Sequence, residues 1–219
     1  MVFYKVLDAS GCSCNGGSLK WSLPTKNDDG TWTPGEWMPE IKGPVVECEN
    51  GYHLATMERL PQWLNERIFV AEVDGELVES TDHDKWVARK VRLVSETAWD
   101  KRTARLYAAD CAEHVLHIYE SKYPDDNRPR KAIETARGHA NGETTEEELA
   151  AARDAARDAA RAAAWAAAWD AARAAAWAAA WDAARDAARA AAWAAAWAAA
   201  RDAERKWQSD RLAEYLEVR

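Results

Sequence analysis

Residues 151–202 read AARDAARDAARAAAWAAAWDAARAAAWAAAWDAARDAARAAAWAAAWAAARD, a four-residue unit, Ala-Ala-X-Z, with Arg or Trp at X and Ala or Asp at Z. Every X is in phase. Trp therefore falls in three pairs, Trp165/Trp169, Trp177/Trp181 and Trp193/Trp197, each pair stacked along one helix face. Alanine is the strongest helix former, and neither Gly nor Pro occurs after Gly142. Thr144 or Thr145, with Glu147 or Glu148 three residues on, supplies a capping box. Together these signals predict one very long helix of roughly 75 residues, a rod of about 110 Å.

The period decides how such a rod meets its neighbours. Four residues at about 100° each overshoot a turn by about 40°, so the X ladder spirals around the helix. A heptad seam, with its mean period near 3.5, is excluded. A right-handed supercoil following the ladder would close a turn within about 54 Å, far tighter than the roughly 150 Å pitch of ordinary coiled coils. The other solution is a nearly straight rod with partners on several sides. Six indoles burying about 150–250 Å² each favour packing over solvation. Trp165, Trp169, Trp177, Trp181, Trp193 and Trp197 are thus the expected helix–helix interface, most simply between copies of the chain. Asp at Z three residues before Arg, as in Asp154 and Arg157, adds a few tenths of a kcal/mol per pair.

Before the rod, helical spacing of Trp99, Leu106, Tyr107, Cys111, Val115, Ile118 and Tyr119 predicts a helix ending at Pro124. A second runs over 130–140 and stops at Asn141-Gly142. Residues 1–98 read as a small mixed head. Strands are expected at 3–7 and 86–94, a short helix at 57–66, and a hairpin whose tight turn is Asp74-Gly75. The region 12–44 is rich in Gly, Pro, Asn, Asp and Ser and carries Trp21, Trp32 and Trp37, the pattern of an irregular segment pinned by aromatics. The expected architecture is α+β: a head over 1–98, a helical region over 99–142 and the long helix over 143–219.

The net charge of -8 is placed unevenly: residues 1–149 hold 18 basic against 27 acidic side chains, the remainder 11 against 10. A nucleic-acid binder would show a basic face, and none occurs. The longest uncharged run of the alanine tract, residues 190–200, is about half a bilayer span. Asp8 and Gly11 interrupt the first apolar residues too soon for a secretory segment. A cytoplasmic protein with reduced thiols is expected, without nucleic-acid or membrane partners.

Candidate chemistry is sparse. Cys12, Cys14, Cys48 and His53, with His83 as a further donor, are a weak zinc set, since the C-x-C spacing is tight and the other ligands are scattered. Cys111, His114 and His117 share a helix, but the first and last lie on diverging faces. No nucleophile elbow, zinc-protease, phosphate-loop or dinucleotide motif occurs, so neither catalysis nor a cofactor is expected.

Two stretches carry resemblances. Tyr4-Lys5-Val6-Leu7, Cys48-Glu49-Asn50-Gly51-Tyr52-His53-Leu54 and Phe69-Val70-Ala71-Glu72-Val73 resemble a domain of unknown function found in bacteriophage and actinobacterial proteins. Residues 109–116 (ADCAEHVL), 126–134 (DNRPRKAIE) and 140–143 (ANGE) resemble immunity proteins of bacterial toxin systems, in which alanine-rich helices commonly follow. The second resemblance implies a non-enzymatic chain that neutralises a toxin by binding, with the acidic head covering a basic surface. A metal-dependent enzyme built on the Cys/His set is the third possibility.

Overall fold

Apolar and β-branched residues at 3–7, 68–73 and 86–94 fold as strands. β1 (Phe3–Leu7), β5 (Arg67–Glu79), β6 (Trp86–Glu96) and β4 (Tyr52–Leu54) form an antiparallel sheet in that order. The computed structural model describes residues 1–14, 17–178 and 183–216, with side chains outside 163–198. The sheet curls until its two edges meet: the Tyr4 amide donates to the Ala55 carbonyl at 2.8 Å and the Ala55 amide returns to the Tyr4 carbonyl at 3.0 Å. Leu7, Phe69, Val91 and Leu93 fill the interior with Trp21, Met38, Tyr52 and Leu54. The segment 35–41 runs along β6, donating from Gly35, Met38 and Ile41 to the carbonyls of Leu93, Val91 and Arg89. β2 (Thr25–Lys26) and β3 (Trp32–Thr33) form a separate short pair.

Two expectations for the head are corrected. Asp74-Gly75 does not turn the chain; it lies inside the 13-residue strand β5. Asp74 faces Lys90 and Leu77 faces Ala88, so two residues of β5 oppose Arg89 alone, which is a bulge. Gly75 supplies the positive φ of 81° that this geometry needs. The reversal comes later, at 80–85, where the Ser80 amide donates to the Lys85 carbonyl and His83 takes φ 53°. The short helix expected at 57–66 is a single 3-10 turn, Leu60–Gln62, because Pro61 and the following Asn65 leave little to propagate.

α1 (Lys101–Glu120) starts at Asp100, whose Oδ1 accepts from the Thr103 amide at 2.7 Å. α2 (Arg128–Ala140) carries Pro129 in its first turn and ends before Gly142, whose φ is 79°. Ala109, Leu116 and Ile133 join the two helices in one apolar cluster. α3 (Glu146–Ala178) begins at the capping box: the Thr145 amide donates to Glu148 Oε2 at 2.8 Å and the Glu148 amide to Thr145 Oγ1 at 3.2 Å. α4 is Ala183–Leu216.

The expected single long helix is therefore overturned: the alanine tract is divided between α3 and α4. A straight rod would carry Glu204 about 87 Å from Glu146. Instead Glu204 Oε2 lies 3.3 Å from His114 Nε2 on α1. Arg137 ties α2 to Asp110 of α1 at 2.8 Å, and His139 ties α2 to Glu146 at 3.3 Å, so both ends of the tract belong to one helical assembly. Propensity favours helix at every alanine but has no term for chain reversal, which long-range contacts decide. The coiled-coil-like rod falls with the single helix.

The chain forms two compact units. One is Met1–Thr103 with the segment from Arg205 onward; the other is Ala104–Glu204. In the first, the end of α4 belongs to the head: Leu212 is fully buried, Leu216 nearly so, and Ser209 Oγ donates to the Glu58 carbonyl at 3.3 Å. In the second, Ala159 is fully buried while Arg153, Arg157 and Arg161 are exposed. The described part of the α3 repeat thus turns alanine inward and its X side chains to solvent. Arg157 and Arg161 pair with Asp154 and Asp158 at 3.6 and 3.7 Å.

Candidate functional site

Closure of the sheet between β1 and β4 opens a cavity of about 750 Å³ in the head, walled by Trp21, Tyr52 and Trp63 and reached by Lys5, Cys14 and His53. Lys5 shares a strand face with Phe3 and Leu7, so β-alternation directs a charged side chain to the inward side. Its Nζ donates to the His53 carbonyl at 3.1 Å and sits 5.0 Å from the Trp21 ring centroid. Burial pulls the Lys5 pKa down to about 8, with the Cys14 sulfur opposing. Burial likewise raises the Cys14 thiol, against the pull of Lys5, and its Sγ approaches the Val6 carbonyl at 3.5 Å.

His53 Nε2 accepts the Cys48 amide at 3.0 Å, an approach made possible by Cys48 at φ 61°. The Nε2 lone pair is thereby engaged, and the ring's proton resides on Nδ1. Burial lowers the His53 pKa, and the charges of Lys5 and Lys85 add to this. Lys85 also reaches the cavity, yet its charge is spent on Glu47 at 2.8 Å and Asp84 at 3.2 Å.

The proposed zinc set is only partly assembled. Cys14, Cys48 and His53 line the cavity, whereas Cys12 does not. No group of three or more His, Cys, Asp or Glu side chains is placed to hold a metal among the described residues. His83 lies at the hairpin turn and pairs with Glu79 at 3.1 Å. The sequence reading missed Lys5, although a lone cation among Phe3, Tyr4, Val6 and Leu7 was the signal for it.

A second polar cluster lies in the helical unit. The buried Asp110 accepts Arg137, which also pairs with Glu113. Tyr107 is buried beside Cys111 and Glu204, and burial, then Cys111, pushes its phenol far up. His114 reaches Glu204, while His117 Nδ1 meets the His114 carbonyl at 3.0 Å, so these two histidines diverge. The side chains of Trp165, Trp169, Trp177, Trp181, Trp193 and Trp197 lie outside those described. No described helix is long and apolar enough to cross a membrane.

Comparison with known proteins places the helical half. The family model for the Imm-5 like putative immunity protein matches residues 96–215, from the end of β6 through α4. No curated protein and no solved structure matches the chain. The matched span covers more than half of the 219 residues and takes in α1, α2, α3 and α4 up to its last residue but one. The chain belongs to the Imm-5 like putative immunity protein family.

Proposed function

We propose that this chain neutralises a toxic protein by binding it, in the cytoplasm of the cell that makes both. The observation that carries this reading is the family match across 96–215. The charge distribution supports it: the acidic excess of residues 1–149 complements a basic partner and would speed encounter by electrostatic steering. The reading is non-enzymatic; the work is done by masking a surface. The test is coexpression with the toxin domain encoded beside it, followed by growth and by isothermal titration of the purified pair. Restored growth with a stoichiometric complex is expected. Soluble chain that neither restores growth nor binds would overturn the reading.

A second reading, self-association through the tetrad tract, rests on the six in-phase Trp of the sequence. Light scattering on the full chain and on a variant with all six Trp replaced by Ala decides it. Equal mass for both, with helicity retained, refutes self-association through those residues.

A further inference from the structure

We propose that the head cavity is a binding site for a small organic carboxylate with a planar, apolar body, anchored by the Lys5 ammonium. Lys5 is half-buried and forms no ion pair among the described residues. Lys85, the other lysine at the cavity, already has Glu47 and Asp84. An ammonium has three donors, and the His53 carbonyl takes one, leaving capacity for an anion. A desolvated charge lacking a counter-ion is costly, and an arriving carboxylate offsets that cost.

The walls favour a flat body. Three of the four Trp and Tyr side chains lining the cavity have their polar tips tied to the scaffold: Trp21 Nε1 donates to Ser13 Oγ at 2.9 Å, the Tyr52 hydroxyl to the Pro39 carbonyl at 2.7 Å, and Trp63 Nε1 to the Asp84 carbonyl at 3.1 Å. Their carbon surfaces are fixed in place before any ligand arrives, so little ordering is required on binding. The volume of about 750 Å³ falls within the range typical of small-molecule sites. A single open ammonium, no arginine in the lining and Glu49 at the exposed rim suit a carboxylate better than a phosphate dianion.

The test titrates the full chain with benzoate and 1-naphthoate, against benzamide and 1-naphthamide, by calorimetry or by tryptophan fluorescence. The acids should bind about tenfold or more tightly than the amides, the difference expected of a charged over a neutral hydrogen-bond partner. Lys5→Met should abolish that preference while thermal unfolding stays cooperative. Affinity for the acids should also fall as pH rises through 8, as Lys5 loses its proton. Glu47 and Asp84, both held down, stay paired to Lys85, held up, across that range, and His53, lowered by burial, stays neutral; Cys14 and the Tyr4 and Tyr52 phenols have pKa values raised by burial. The proposal is overturned if amides bind as well as acids, if neither acid binds at millimolar concentration, or if Lys5→Met keeps the preference. Should Lys5→Met not fold, the acid–amide comparison and the pH series on the unaltered chain decide alone.

Discussion

Lys5 and His53 give the head a pH signature whose sign follows from burial. Lys5 titrates near 8 in the fold and at its ordinary 10.5 when unfolded, so between these values the unfolded chain binds more protons and stability rises with pH. Lys5→Met should flatten that rise, which urea unfolding at pH 8 and pH 10 would measure. His53 acts at the acid end with the same sign. Its folded pKa lies below 6.5, so the stability associated with keeping the ring neutral is present above pH 6.5 and is lost as pH falls through the folded value. Both residues are legible as letters in the sequence. Their juxtaposition, Lys5 Nζ on the His53 carbonyl, requires β1 and β4 to meet at the edge closure, which no local pattern reports.

At the level of strands and helices, glycine and alanine have separable roles. A Cβ at Gly75 would meet only ordinary contacts with Arg89, so Gly75→Ala should cost the left-handed backbone strain, about 1–2 kcal/mol. A Cβ at Gly35 would lie 2.2 Å from the Ser22 carbonyl oxygen, and backbone must move. Gly35→Ala should therefore be the worse of the two, about 3 kcal/mol at the upper end of overpacking costs. Denaturant melts of both variants rank them, and the reverse order would refute the bulge assignment. In α3, Ala159 is fully buried and Ala160 exposed. Ala159→Leu should lose about 1–3 kcal/mol, whereas Ala160→Leu should stay within about 0.5 kcal/mol of the parent. Equal effects would mean that the alanine face does not set the approach of the neighbouring helix.

Across the whole molecule, the end of α4 is part of the head's own core. Leu212→Ala should therefore destabilise the head by about 2–5 kcal/mol. Hydrogen exchange would show it as faster exchange in β5 and β6 while α2 and the start of α3 hold their protection; unchanged strands would refute the assignment. The helical character of the repeat, the capping box at Thr145 and Glu148, the stop at Gly142 and the strand at 3–7 could all be read from the chain, because each depends on propensity or hydrogen bonds spanning a few residues. The division of the alanine tract, the bulge at Asp74-Gly75 and the cavity around Lys5 could not. Each is fixed by partners distant in sequence: Glu204 with His114, β5 with β6, and β1 with β4. An alanine repeat without a breaker favours helix equally at every position, so only the energy of contacts made after the chain returns selects where its ends lie.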